Sequence, residues 1–379
     1  MSARCRVLHI VHNLDYGGLE RLVGALVRLT APERFENHVL TLGEFGRFAD
    51  GLDGVAQLHR QPPMHRASML HPSQLIRTIR TIAPDVVHTH SGVWYKASLA
   101  ARRAGVRRVV HTDHGRQYPD PFLARLLDRA AAKRTDVLVA VSEPLAAHLV
   151  AKVVKPGIRI CVIANGVDTN RFRPMAVNGA MRRELGLPAK SPLIGSIGRL
   201  ESIKGYEVMI RAFALLRHAW NESDGPTPTL VIVGDGSERE RLSALITECG
   251  VGGAAHLAGW RADVERCYAA FDVFSLSSWS EGMPLGLLEA MSAGVCPVVT
   301  DVGGAREALG ESMLHRLVPP GDPAALAQAW RAALRAHDRR VLEAPALRRR
   351  VEENFSIRAM VRAYERLYVG ESLDAAPKP

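Results

Sequence analysis

Two glutamates, Glu281 and Glu289, stand eight positions apart in the stretch SEGMPLGLLEAMSAGVCPVVTDVGG, which runs from Ser280 to Gly304. Pro284 suits the first turn of a helix, and Ser278, Ser280 and Glu281 lie just ahead of it as candidate caps. The N–H groups of the following LGLL would then point out of a sheet edge, where they attract a phosphate. Glu289 falls one to two turns into that helix, close to the same edge. Two carboxylates cannot both serve phosphates, because like charges repel. They suit sugar hydroxyls, from which an ionised carboxylate accepts hydrogen bonds. The plainer alternative makes Glu281 a helix cap and Glu289 a surface or paired helix residue.

A second set follows an apolar strand: in GRLESIKG, Arg199 offers a charged fork and Lys204 a point charge, a combination that neutralises a diphosphate leaving group. Gly198 and Gly205 would let the backbone approach a ligand closely. Solvated surface charge is the competing reading for such a pair.

These residues need a scaffold, and the hydrophobic pattern supplies one. Short β-rich segments alternate with amphipathic stretches of helical length, the pattern of parallel sheets with crossover helices. Strands are expected near RVLHIVH, NHVLTLG, PDVVHTH, RRVVHTD, DVLVAVS and RICVIAN, then near PLIGSIG, TLVIVGD, AAHLAG, DVFSLSS and CPVVTDV. In open parallel sheets ligands bind beyond the carboxyl ends of strands. Those exits carry histidines, Arg199, Lys204 and the two glutamates, which go beyond what turns require. His88, His90, His111 and His114 leave two strands as HTHS and HTDHG. A cluster of four imidazoles suggests a metal, but a ligand set would also want a carboxylate or thiol in fixed geometry. No metal is expected; His114 is the candidate for bonding a hydroxyl, and His88 for a satisfied buried residue.

The 379 residues allow two domains, with 47% apolar and 23% charged residues typical of a globular chain. Pro174, Pro188 and Pro192 mark a linker between Arg173 and Pro192. Five scattered cysteines fit neither a disulfide framework nor a zinc site. The N-terminal apolar run breaks at His9 and His12, so neither a signal peptide nor a membrane span is expected there and a cytoplasmic location is. The formal charge of +10 admits nucleic acid, anionic membrane or phosphorylated ligands as partners. Nucleic acid is disfavoured, since no aromatic-rich sheet motif accompanies basic residues dispersed over several helices. A nicotinamide-dependent dehydrogenase is disfavoured too, because the first strand exits into NLDYGGLE and not a G-x-G-x-x-G turn.

Taken together, GRLESIKG, VIVGDGSE, HLAGWRADV and AFDVFSLSSWSEGMPLGLLEAMSAGVCPVVTDVGG resemble the nucleotide-binding half of family-4 retaining glycosyltransferases of the GT-B fold. ANGVDTNRFRP and DYGGLERLV extend the resemblance from about residue 6 to 370. It implies two Rossmann-like domains facing each other across a cleft. The first would span 1–178, joined in space by a terminal helix over 356–371; the second, 179–355, would bind the nucleotide sugar. It further implies that Glu281 holds hydroxyls of the donor sugar and Glu289 those of the ribose. Arg199 and Lys204 would grip the diphosphate with backbone N–H groups around Gly282, Leu285 and Gly286. Gly17 and Gly18 would form the loop reaching over from the first domain, and His114 would lie near the reacting sugar. The base would rest against the loops of Gly234 and of Arg261, whose neighbouring main-chain groups read its edge; residues 301–304 would close the far side.

The expected reaction is transfer of a hexosyl unit from a nucleotide diphosphate sugar to an acceptor hydroxyl, with retention and with no cofactor or metal. A sugar-nucleotide epimerase or hydrolase of the same fold is the alternative. Arg60, Arg66, Arg77, Arg80, Arg102, Arg103, Arg107, Arg108, Arg125, Arg129, Lys133 and Arg134 are interleaved with Met64, Met69, Leu70, Phe122, Leu123, Leu126 and Leu127. This mixture suits either a peripheral membrane face or a solvated one. A lipid-linked saccharide of exopolysaccharide or cell-envelope assembly is the first expected acceptor, and a soluble sugar or sugar phosphate the second.

Overall fold

A computed structural model describes residues 4–15, 17–46, 48–62, 66–115, 121–154, 158–175, 179–188 and 190–371. The chain divides into two compact units, residues 1–166 with 357–379 and residues 167–356. The first unit holds a seven-stranded sheet of β1 (Cys5–Val11), β2 (Phe35–Thr41), β3 (Gln57–Arg60), β4 (Val86–His90), β5 (Arg108–Asp113), β6 (Val137–Ala140) and β7 (Ile160–Val162). Their order is β3-β2-β1-β4-β5-β6-β7, and every pair is parallel. The second unit holds six parallel strands, β8 (Leu193–Ile197), β9 (Thr229–Val233), β10 (Ala255–Gly259), β11 (Val273–Leu276), β12 (Cys296–Thr300) and β13 (Leu317–Val318), in the order β10-β9-β8-β11-β12-β13. Both orders reverse direction once, at β1/β4 and at β8/β11. Such a switch point opens a crevice outside the strand ends.

Central strands are apolar throughout because helices cover both faces; β6, β9, β11 and β12 are buried along their whole length. Trp330, fully buried in the second core, satisfies its indole by donating to Ser275 Oγ on β11 at 3.0 Å. Two edge strands escape the sequence pattern. β3 reads QLHR, with no apolar run, and β13 is two residues long; each exists because a neighbouring strand offers free backbone groups.

The boundary expected at 178 lies outside the described residues, and the units divide earlier, between Gly166 and Val167. Val167 bridges Ser356 in parallel, and the Phe172 ring packs edge-on against Tyr268. These contacts tie residues before the proline-rich stretch to the second unit. The helix Ile357–Val369 belongs to the first: Glu365 accepts from the Ala31 N–H at 2.7 Å, and Tyr368 meets His88.

Candidate functional site

In the second unit the loops leaving β8, β11 and β12 are fastened to one another by backbone. Ser277 Oγ donates to the Lys204 carbonyl at 3.0 Å, and the Trp279 N–H to the Ile203 carbonyl at 2.9 Å. Gly205 sits between them at φ +60, where a Cβ would run into the Ser277 carbonyl oxygen. Its glycine is therefore needed for loop-on-loop packing. Gly198 is similar: a Cβ there would lie 2.7 Å from the Tyr206 hydroxyl, and one on Gly234, at φ +144, would strike the Gly198 carbonyl.

This fastening brings Lys204 and Glu281 into contact. Lys204 Nζ lies 2.7 Å from Glu281 Oε1, and Ser278 Oγ donates to the same oxygen at 2.6 Å. The pair is mostly shielded from solvent, with side-chain exposures of 23% and 13%, so its attraction is screened less than that of a surface pair. Arg199, on the same β8 exit, is 58% exposed and pairs with Glu201 at 2.9 Å. The expected capping does not occur. The helix Leu285–Ser292 starts one residue after Pro284, which takes the cap position in an extended conformation, and no side chain caps it. The proline therefore removes no helical N–H, and those of Leu285 and Gly286 lack intrahelical partners, as first-turn groups do. Gly282 is held from the β12 side, where the Gly304 N–H donates to its carbonyl at 2.7 Å.

Glu289 is not a surface residue: it is 2% exposed. Its Oε2 accepts from the Tyr268 hydroxyl at 2.7 Å, in a pair that is buried. Tyr268, on the helix Val264–Tyr268, was not among the sequence candidates. It reads as one more aromatic of an apolar core, and only its hydroxyl, placed by folding, marks it out. The Arg261 side chain is committed within its own loop, forking onto Asp263 with two bonds of 2.8 Å and reaching Glu184 at 3.1 Å. The fork raises the guanidinium pKa and holds the Asp263 carboxyl down at about 2.

In the first unit Gly17 precedes the helix Gly18–Leu29, with the Glu20 carboxylate folded where a Gly17 side chain would go; neighbouring Tyr16 lies outside the described residues. The four expected imidazoles do not form one cluster. Register sets β4 His88 beside β1 His9, and alternation puts His90 on the same face. His111 points the other way and stacks on Trp94 at 4.1 Å. His9, which in the sequence only interrupts an apolar run, takes its place. His9 Nδ1 lies 3.4 Å from His90 Nε2, and His90 Nδ1 lies 3.1 Å from His114 Nε2. Burial lowers the His9 and His114 pKa values to about 4. His9, His88 and His90 each place one ring nitrogen within 4.8 Å of the others, close enough to share an ion. Both His88 nitrogens are already engaged at 2.8 Å, with Tyr368 and Thr112, so an ion would have to break a bond made to protein.

A cavity of about 540 Å³ opens at the ends of β4 and β5, lined among others by Ser91, Tyr95, Lys96, Asp113 and Asp128. Along it runs the helix Phe122–Ala132, whose Leu127 lines the cavity while Phe122, Leu123 and Leu126 are exposed. Several of the basic residues near this face are engaged with protein: Arg102 pairs with Asp136, Arg103 donates to the Leu70 carbonyl and Arg108 to that of Leu367. Met64 and the Arg66 side chain lie outside the described residues.

Two all-parallel Rossmann-like units, with a charged pair and a helix start at the switch point of the second, define a class of nucleotide-binding α/β protein. Residues 178–354 match the family described as Glycosyl transferases group 1, and residues 16–171 that described as Glycosyltransferase Family 4. The chain belongs to the family-4 glycosyltransferases of the GT-B fold. It is 28% identical over 316 residues to the UDP-Gal:alpha-D-GlcNAc-diphosphoundecaprenol alpha-1,3-galactosyltransferase of Escherichia coli, covering 80% of this chain and 81% of that one. It is 29% identical over 277 residues to a D-inositol 3-phosphate glycosyltransferase of Corynebacterium urealyticum, covering 68% and 65%. Its fold is that of HepE from Anabaena solved with UDP-glucose, with a TM-score of 0.82, 20% identity and coverage of 96% and 99%. No helix among the described residues is long and apolar enough to cross a membrane.

Proposed function

We propose that this enzyme moves a hexosyl unit from a nucleotide diphosphate sugar to an acceptor hydroxyl with retention, and that the acceptor is a lipid-linked saccharide of exopolysaccharide or cell-envelope assembly. The observation that carries this reading is the Lys204–Glu281 pair beside the uncapped start of the helix Leu285–Ser292. As the bond from the anomeric carbon to the diphosphate breaks, negative charge grows on the diphosphate and positive charge on the sugar ring. Lys204, Arg199 and the N–H groups of Leu285 and Gly286 stabilise the first. Glu281 holds donor hydroxyls, and Glu289, steadied by Tyr268, those of the ribose. The acceptor oxygen attacks from the face the diphosphate leaves, and its proton passes to a diphosphate oxygen. The base rests against the loops of Gly234 and Arg261. A panel of UDP-, GDP- and ADP-sugars tests the donor. One of them should raise the melting temperature, stabilising the fold by about 2.7 kcal/mol at a hundredfold excess over Kd as a ligand bound only by the folded chain does. A panel with no stabilising member would overturn the reading.

The cations on the chain fill the charge-neutralising part a divalent ion plays elsewhere. Transfer should therefore run at an unchanged rate in EDTA; abolition by EDTA with recovery on adding magnesium would refute this.

Support for the lipid-linked acceptor comes from the cavity and its rim. Phe122 and Leu123 are 69% and 67% exposed beside it, and exposed Arg129 and Lys133 follow on the same helical segment. The named acceptor of the Escherichia coli relative carries a diphosphoundecaprenol. An apolar strip flanked by cations suits the inner face of an anionic cell membrane, each cation contributing about 1 kcal/mol. Vesicles rich in anionic lipid should sediment the protein at low salt and release it at high salt; protein left in the supernatant at low salt would count against a membrane location.

A further inference from the structure

Ser278 stands three residues ahead of Glu281, and the two meet side chain to side chain at the exit of β11. Ser278 is fully buried. Its single hydroxyl proton goes to Glu281 Oε1 at 2.6 Å, because a carboxylate oxygen only accepts. Thr300 Oγ1, at the end of β12, donates to the Ser278 carbonyl at 2.9 Å, and the N–H of the next residue, Trp279, donates to the Ile203 carbonyl beyond β8. The segment that carries the hydroxyl is therefore tied to two neighbouring strand exits.

Lys204 Nζ donates to the same oxygen at 2.7 Å. Two donors thus converge on Oε1, and among the described residues none reaches Oε2. The two donors are not equivalent. An ammonium has three N–H groups on a flexible stem, and a diphosphate arriving beside Lys204 competes for them. A carboxylate held by Lys204 alone would follow the ammonium or be released. Ser278 has one proton, and its burial keeps it from turning to a ligand. It holds Oε1 in place while Oε2 stays open to accept from a hydroxyl. A glutamate side chain that is already fixed also loses less conformational freedom when a ligand binds.

We propose that Ser278 is a positioning residue that fixes Glu281 for the donor sugar, so that recognition of the sugar half of the ligand depends on Ser278 and recognition of the diphosphate half does not. The assignment rests on the glycosyl-transfer reading of this site. It differs from a general loop-holding role, which falls to the neighbouring serine: Ser277 Oγ donates to backbone, the Lys204 carbonyl, at 3.0 Å.

Calorimetric titration of the full chain in the absence of acceptor tests the role, with UDP-, GDP- and ADP-glucose each set against UDP, GDP and ADP. For the base that binds, Ser278→Ala should weaken the nucleotide sugar about tenfold, the loss of roughly one hydrogen bond, and leave the bare diphosphate unchanged. Ser277→Ala should change both ligands by the same factor. Equal losses for the two ligands in Ser278→Ala, or no loss for either, would overturn the proposal. So would a loss in Ser277→Ala as selective as that in Ser278→Ala. If Ser278→Ala does not fold, Ser278→Cys carries the test, since a thiol of similar shape is a weak donor and should give the same selective loss. A wild-type chain that binds no member of either set overturns the glycosyl-transfer reading itself; one that binds both, with the selective loss missing from the variant, overturns only the role of Ser278.

Discussion

Glu281→Ala should lower kcat/KM by about two orders of magnitude, and Arg199→Ala by a similar factor, as expected when interactions made in the transition state are lost. The two losses differ in what accompanies them. Arg199 is exposed and bonded to a neighbouring glutamate, so its removal should leave the melting temperature almost unchanged. Glu281 is shielded and accepts from both Lys204 and Ser278. Its removal strands a shielded ammonium and should cost about 1–2 kcal/mol of stability as well. Adding Lys204→Met to Glu281→Ala should recover part of that stability and none of the activity. Steady-state kinetics and urea melts on the three variants separate these effects. Near-normal rates in both single variants would remove the site from the β8 and β11 exits.

Gly303→Ala should be among the most damaging single-methyl changes in the second unit. Gly303 has φ +53, and a Cβ there would fall inside the Glu281 carbonyl oxygen and 3.0 Å from that of Gly282. Neither contact is with a flexible side chain, so the backbone carrying Glu281 must shift. Strain of about 2–4 kcal/mol is expected, together with a loss of turnover at least tenfold because the loop carrying Glu281 moves. Gly250→Ala is the control. It has φ +67 with nothing within 4 Å of a Cβ, so it carries only the backbone penalty of about 1 kcal/mol. Equal urea midpoints for the two variants would show that the close approach of the β12 and β11 exits does not hold in solution.

Much of the site can be read in the chain because each strand ends in a short, self-announcing motif. Arg199 and Lys204 directly follow an apolar run, and Glu281 and Glu289 bracket a helix start, so their places at strand exits follow from local pattern. Pro284 was legible as a helix-start residue but not as a cap, since one residue separates the two and backbone bonding beyond the helix decides. His9 was illegible for a different reason. A histidine in an apolar run looks like an interruption, and only the register of β1 against β4 sets it beside His88 and in line with His90. Tyr268 shows no local signal at all; its hydroxyl matters because Glu289 is buried against it.

By itself, then, the sequence determined the class of fold, the rhythm of two parallel sheets and the residue types waiting at their ends, since alternation and helical period depend only on near neighbours along the chain. Tertiary structure alone decided that Lys204 pairs with Glu281, that Glu289 is buried, and that the first unit closes at Gly166. Each of these depends on strand order and register between segments far apart in the chain, and no local preference encodes that proximity.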